Sequence, residues 1–218
     1  VDEKLQEGSK MKVQKANRYR NITRTISKFK PQTILEVGTH KGSRAVEMIN
    51  CAKQYNNDIK YYGFDLFEGM TPNVKEREFH GKCDVTREEA ENKISKIGSE
   101  YELIVGNTID TMSDFNPDRP IDFVFIDGGH SVATIASDWS NIERIMSDHT
   151  VVLFDDYYEN RDDVGCKSLI DSLREQNVFA VELLDPLDKL TVKNLNSPPL
   201  VEWKKDALNI RLVMVSRI

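Results

Sequence analysis

The most constraining feature of this chain is a regular alternation. Five apolar runs of strand length occur at Thr33–Gly38, Tyr61–Leu66, Tyr101–Gly106, Ile121–Asp127 and Thr150–Asp156. Segments with helical spacing lie among them, at Ser43–Lys53, Thr86–Ile97 and Val132–Met146, and a longer helix is expected over Arg161–Gln176. Strands buried on both faces read as near-continuous Val/Ile/Leu/Phe runs, as these do. Strands alternating with helical crossovers of this length form a parallel sheet with helices on both faces. Val178–Leu184 and Asn209–Ile218 read as two more strands, separated by a loop containing Pro198-Pro199 rather than by a helix. That final pair is expected to be antiparallel. The expected fold class is therefore α/β, a doubly wound sheet, mostly parallel and closed by an antiparallel strand.

With 218 residues the chain can bury one sizeable core. No run approaches the ~18 apolar residues of a membrane span, and no stretch near Val1 reads as a secretory signal. Three widely spaced cysteines, Cys51, Cys83 and Cys166, form no CxxC pair, so a reducing cytoplasm is the expected setting. The net charge of −6 is uneven: residues 1–30 carry +6 and the remainder −12. An acidic body with one basic arm argues against a broad nucleic-acid surface. Tyr19, Ile22, Ile26 and Phe29 step by 3, 4 and 3, the stripe of a helix over roughly 10–29, which Met11 and Ala16 extend less cleanly and Pro31 ends. The expected organisation is a basic helical arm, 1–30, and one domain, 31–218. The arm's charges are expected on a solvated face, and its stripe against the domain or a second copy.

In open α/β sheets, ligands bind beyond the carboxyl ends of the strands. All five parallel runs deliver polar groups there. The first ends in Glu36-Val37-Gly38 and continues Thr39-His40-Lys41-Gly42-Ser43; the second ends in Asp65, the third in Gly106-Asn107, the fourth in Asp127-Gly128-Gly129-His130 and the fifth in Asp155-Asp156. One acid at a strand end is commonplace as a cap or turn former. Five in series mark a site. Gly38 and Gly42 permit a tight turn and close backbone approach, before a helix whose first N–H groups are unsatisfied. The spacing is G-x-x-x-G, not the dinucleotide G-x-G-x-x-G or the phosphate-loop pattern. An NAD-linked oxidoreductase on the same kind of sheet is thereby disfavoured. A non-catalytic binding module using the arm for assembly is a second alternative.

Glu36-Val37-Gly38-x-x-x-Gly42, with Asp65 ending the second strand, resembles the cofactor motif of class I S-adenosylmethionine-dependent methyltransferases. The resemblance spans about residues 30–218 and implies a Rossmann-like, seven-stranded sheet. Phe64–Pro72 and Asp155-Asp156-Tyr157 are similar to the macrocin O-methyltransferase group, and Asp127 with Asp155-Asp156 to metal-dependent catechol O-methyltransferases. The implied activity is O-methylation of a small-molecule hydroxyl on a sugar, glycoside or catechol-like ring.

The cofactor residues implied are Glu36, Gly38, Thr39, Gly42, Ser43, Asp65, Asn107 and Asp127. Asp65 would take both ribose hydroxyls, and the Gly38–Gly42 backbone would meet the amino-acid tail. Glu36 would brace the loop or meet the ammonium. Asn107 would lie near the adenine or simply form a turn. Asp127, Asp155 and Asp156 would hold a hard divalent cation, Mg²⁺ or Mn²⁺, with the alternative that Asp155 or Asp156 caps the next helix. His130 is the candidate general base, open also to a role as fourth ligand or helix-entry residue. Glu68–Val85 reads as a lid or substrate loop, with His80 and Cys83 exposed on it. His149, Trp139 and Trp203 read as structural, and Tyr157-Tyr158 as a wall for a ring substrate. The arm leaves a homo-oligomer open.

Overall fold

The computed structural model describes residues 16–78, 84–190 and 208–218. Met11, His80, Cys83, Pro198-Pro199 and Trp203 lie outside the described residues. The strands are β1 (Thr33–Val37), β2 (Lys60–Asp65), β3 (Glu100–Val105), β4 (Ile121–Ile126), β5 (Met146–Tyr158), β6 (Phe179–Leu183), β7 (Asp188–Leu190) and β8 (Leu208–Arg217). The helices are α1 (Arg20–Phe29), α2 (Ser43–Ala52), α3 (Pro72–Arg77), α4 (Arg87–Ile94), α5 (Thr108–Thr111), α6 (Val132–Ile145) and α7 (Lys167–Gln176).

The sheet runs β3-β2-β1-β4-β5-β8-β6, with β7 on another stretch of β8. The first five strands are parallel, and β8 is antiparallel to both β5 and β6. This is the Rossmann-like doubly wound architecture expected from the alternation. It has eight strands rather than seven, because the three-residue Asp188–Leu190 pairs with β8 without an apolar run to announce it. Winding reverses between β1 and β4, so a crevice opens at their carboxyl ends.

Alternation of side chains divides the core between two faces. One face buries Ile22 and Ile26 of α1 and Ala45, Met48 and Ile49 of α2 against Ile34, Phe123, Phe125 and Leu153. The other buries Ile135, Trp139 and Ile142 of α6 and Ile170 and Leu173 of α7 against Leu35, Val124, Val152 and Phe154. Trp139 packs edge-on to Phe179, with centroids 5.1 Å apart. Among the described residues no helix is long and apolar enough to cross a membrane.

Three local expectations are corrected. Among the described residues the arm's regular helix begins at Arg20, after a 3₁₀ turn at Asn17–Tyr19 capped by Asp188, whose carboxylate accepts the Asn17 and Arg18 N–H groups at 3.2 and 3.0 Å; positions 10–15 of the expected helix lie outside the described residues. Its stripe is buried within this chain at Ile22 and Ile26, while Phe29 is exposed. Glu68–Val85 is not all loop: Thr71 caps α3 with Pro72 at its first position, a pairing that favours helix starts. Lastly, α7 begins at Lys167 rather than Arg161, because Gly165 takes a left-handed φ of 80° and donates its N–H to the His130 carbonyl at 2.8 Å.

Candidate active site

A cleft, partly open to solvent, lies over the carboxyl ends of β1, β2, β3 and β4. Gly38, His40, Asp65, Asn107 and Asp127 line it, and Phe67, Met70, Val74 and Val85 make one side apolar. Such a mixed lining, largely apolar with a few convergent polar groups, suits an organic ligand.

The first loop is shaped by contact with the fourth. Gly38 has φ +94°, and a Cβ there would fall 2.0 Å from the Asp127 carbonyl oxygen and 2.9 Å from Gly128 Cα. The glycine therefore lets the β1 and β4 ends approach each other beneath the cleft. Gly42 has φ +69° and backs onto Ala90 of α4. His40 is also left-handed, at φ 49°. Its N–H donates to Asp65 Oδ2 at 2.7 Å, while Phe67 N–H donates to Asp65 Oδ1 at 2.8 Å. Asp65 thus ties two loops together with its carboxylate on the cleft wall.

Four of the expected cofactor residues, Glu36, Thr39, Gly42 and Ser43, stand off the lining. Glu36 is 1% exposed. It accepts from the Tyr61 hydroxyl, which is also 3.1 Å from the Thr39 hydroxyl. This is the geometry of a brace beneath the loop. Burial pushes the Glu36 carboxyl up to about 8, against the pull of the Tyr61 hydrogen bond. Its Oε1 has no hydrogen-bond partner among the described residues. Gly42 is buried below the loop, and Ser43 is at the surface, where it accepts from Lys93 at 2.9 Å. Asn107 lines the cleft and caps α5, its Oδ1 accepting from Ile109 N–H at 3.2 Å.

Beyond the cleft, ligand atoms of Asp127, His130 and Asp156 all lie within 4.8 Å of one another. His130 Nε2 is 3.3 Å from Asp156 Oδ2, and the Tyr158 hydroxyl donates to Asp156 Oδ1 at 2.8 Å. Asp156 reaches this cluster through an irregularity. The β5–β8 register shifts between Phe154 and Tyr157, and Asp156 has a left-handed φ of 60°. A bulge of this kind re-aims a side chain at a strand end.

Asp155 is a correction. Strand register puts it beside Asp127, continuing the pairs Phe125–Leu153 and Ile126–Phe154, so its convergence with Asp127 was a sound expectation. The structure engages it elsewhere. Arg18 Nε donates to Asp155 Oδ1 at 2.7 Å, Arg18 Nη2 to Oδ2 at 2.8 Å and the Tyr19 hydroxyl to Oδ2 at 2.7 Å. Arg18 is 5% exposed and Asp155 3%. Burial acts to raise the Asp155 carboxyl, but the charge and hydrogen bonds of Arg18, with Tyr19, hold it below the usual carboxylate range. Arg18 is thus no member of a solvated basic face. The ring of Tyr19 lies near two guanidiniums, 4.3 Å from Arg18 and 4.2 Å from Arg44. Tyr157 and Tyr158 are each 4% exposed, so they are packed inside rather than presented as a wall.

Sequence reasoning also missed Glu78. It follows α3 and crosses the cleft to the start of α6, where its carboxylate accepts Ser131 N–H at 3.0 Å and the Thr134 hydroxyl at 2.8 Å. A Cβ on Gly129 would lie 2.7 Å from Glu78 Oε2, so the glycine leaves room for that reach. Burial acts to raise the Glu78 carboxyl, but the Ser131 N–H, Thr134 and Arg77 outweigh it and hold it low. The Thr71-Pro72 start signal was the available clue to α3; nothing local marks the partner of Glu78.

Comparison with known proteins fits this geometry. No curated protein matches the chain. Among solved structures, the O-methyltransferase TomG from Streptomyces achromogenes, in complex with SAM, aligns with a TM-score of 0.61 at 13% identity, over 91% of this chain and 78% of that one. Cofactor-bound Rv0187 from MTB aligns at 0.61 and 13%, over 94% and 82%. The O-methyltransferase from Bacillus cereus, in complex with SAH, aligns at 0.57 and 13%, over 90% and 79%. At these identities the likeness speaks for the fold. A family described as "Methyltransferase domain" matches residues 35–157, more than half of the chain, from within β1 through the Asp156 bulge. The chain belongs to that methyltransferase-domain family.

Proposed function

We propose that this methyltransferase transfers the methyl group of S-adenosylmethionine to a hydroxyl of a small molecule, a sugar, glycoside or catechol-like ring, with the help of a divalent cation. One observation carries the reading: Asp127 belongs both to the cleft that Asp65 lines and to the cluster with His130 and Asp156. A donor seated in the cleft would have its reactive end beside those groups.

The residues fit both groups. The cleft has the apolar side and convergent polar groups that a nucleoside with an amino-acid tail would use, and among the described residues the buried Glu36 Oε1 lacks a hydrogen-bond partner at the loop that would hold the tail. Two carboxylates suit Mg²⁺ or Mn²⁺, which prefer oxygen ligands. When bound, the donor supplies an electrophilic methyl on a sulfonium, and the cation supplies a field that lowers the pKa of a nearby oxygen.

The chain's own residues do the rest. Asp65 has lone pairs beyond those used by His40 and Phe67, and these take the ribose hydroxyls. Phe67, Met70 and Val74 exclude water from the base. Asp127 and Asp156 hold the cation. His130 would take the proton of the acceptor hydroxyl, and the Asp156 carboxylate, 3.3 Å from its Nε2, would stabilise the imidazolium as it forms. The acceptor oxygen would then attack the methyl carbon in line with the departing sulfur, the C–O bond forming as the C–S bond breaks and S-adenosylhomocysteine is left, and orientation supplies much of the acceleration.

Calorimetry with S-adenosylmethionine tests the donor and chelation tests the cation. Chelation should abolish methyl transfer while changing donor affinity by less than about threefold. Absence of donor binding at millimolar protein would falsify the donor assignment, and undiminished transfer after chelation would remove the cation from it.

A further inference from the structure

Three acids lie just past β4 and in the bulged stretch of β5, yet only two face the cluster. Asp155 accepts three hydrogen bonds from Arg18 and Tyr19, which leaves its two oxygens little capacity for another partner. Arg18 is itself fixed from the far side. Its N–H donates to Asp188 Oδ2 at 3.0 Å, and its Nη1 lies 3.4 Å from the same oxygen. Tyr19, whose ring lies 4.3 Å from the Arg18 guanidinium and 4.2 Å from that of Arg44, cannot swing away without losing both contacts. For Asp155 to turn toward a cation beside Asp127, a buried guanidinium would have to lose its bidentate partner.

We propose that Arg18 is a positioning residue of the active site. By claiming Asp155 it keeps the middle acid out of the cation's shell, so that the site takes a single divalent cation on Asp127 and Asp156. The first described turn of the chain, at Asn17–Tyr19, thereby sets how many carboxylates the cation meets. Without Arg18, a third carboxylate would stand in register beside Asp127. The inference rests on the cation reading above.

The test is Mn²⁺ binding to the full chain without donor or acceptor, read from the paramagnetic resonance signal of unbound Mn²⁺. Asp155→Asn should bind Mn²⁺ within about threefold of the parent, because the amide oxygen it introduces still accepts from Arg18 and the carboxylate it replaces is not a ligand. Asp156→Asn should bind at least about thirtyfold more weakly. Arg18→Met should bind about tenfold more tightly, since the released Asp155 joins the shell, and Arg18→Met with Asp155→Asn together should cancel that gain. A merely structural role for Arg18 would weaken binding instead.

A loss in Asp155→Asn as large as that expected of Asp156→Asn overturns the proposal. So does weaker binding in an Arg18→Met protein that melts cooperatively. Should Arg18→Met not fold, the Asp155→Asn result decides by itself. A parent chain that binds no Mn²⁺ ends the cation reading and this inference together. A parent that binds, with Asp155→Asn that does not, ends this inference alone.

Discussion

Gly38 shows how narrow the tolerance is at single residues. Its φ of +94° disfavours a side chain, and the space that a Cβ needs is filled by the Asp127 carbonyl at 2.0 Å. Gly38→Ala should therefore cost at least about 2 kcal/mol and displace Asp127 from the cluster. Denaturant melts check the first effect, and Mn²⁺ binding by the folded fraction checks the second. Unchanged stability would mean that the β1 and β4 ends do not approach as described. Asp65, Asp127 and Gly38 were legible in the sequence because a residue's place at a strand end follows from local pattern. The role of Asp155 was not. Its partner Arg18 lies 137 positions away, and within its own segment Arg18 reads as one of nine basic side chains. No periodicity separates the one buried guanidinium from solvated neighbours.

Among the elements, α3 is the one that covers the cleft without contributing to the sheet. Among the described residues its hold on the opposite side is the carboxylate of Glu78, seated on the N-terminal turn of α6, where the exposed N–H groups and helix dipole favour negative charge. Glu78→Gln keeps the shape but removes that charge. It should weaken S-adenosylhomocysteine binding about tenfold, speed its release and lower the melting temperature by a few degrees. Stopped-flow release rates check this, and a wild-type rate would show that α3 does not retain the ligand. The major helices and strands were readable from periodicity and apolar runs. The short elements α3, α5 and β7 were not, since three to six polar residues bury too little to leave a pattern. The start of α7 was misplaced for a related reason: Gly165 interrupts the helix through a bond to His130, a contact made only in the folded chain.

Across the whole molecule, the mostly parallel sheet and its two helical layers followed from chain-wide alternation, and so did the edge carrying the cleft. Invisible in that pattern were the acids the fold must keep inside. Asp138 on α6 is fully buried, and burial pushes its carboxyl up to about 7, only partly offset by Thr108. The folded state thus holds a proton that the unfolded chain releases near the ordinary value of 3.8. The Asp138 contribution is fully favourable below that lower value and declines as pH rises toward about 7, after which the loss is constant. Asp138→Asn should remove this slope and raise the melting temperature at pH 8.5 relative to the parent by a few degrees, about 2–4 °C. Melts at pH 5 and pH 8.5 check it; equal slopes in the two proteins would assign the dependence elsewhere. One further consequence concerns biosynthesis. Because β8 separates β5 from β6, the ribosome releases β6 before the strand that will flank it has been translated. A nascent polypeptide at that stage exposes two unzipped borders, those of β5 and β6, and closure of this half of the sheet must wait for residues 208–217 to clear the exit tunnel.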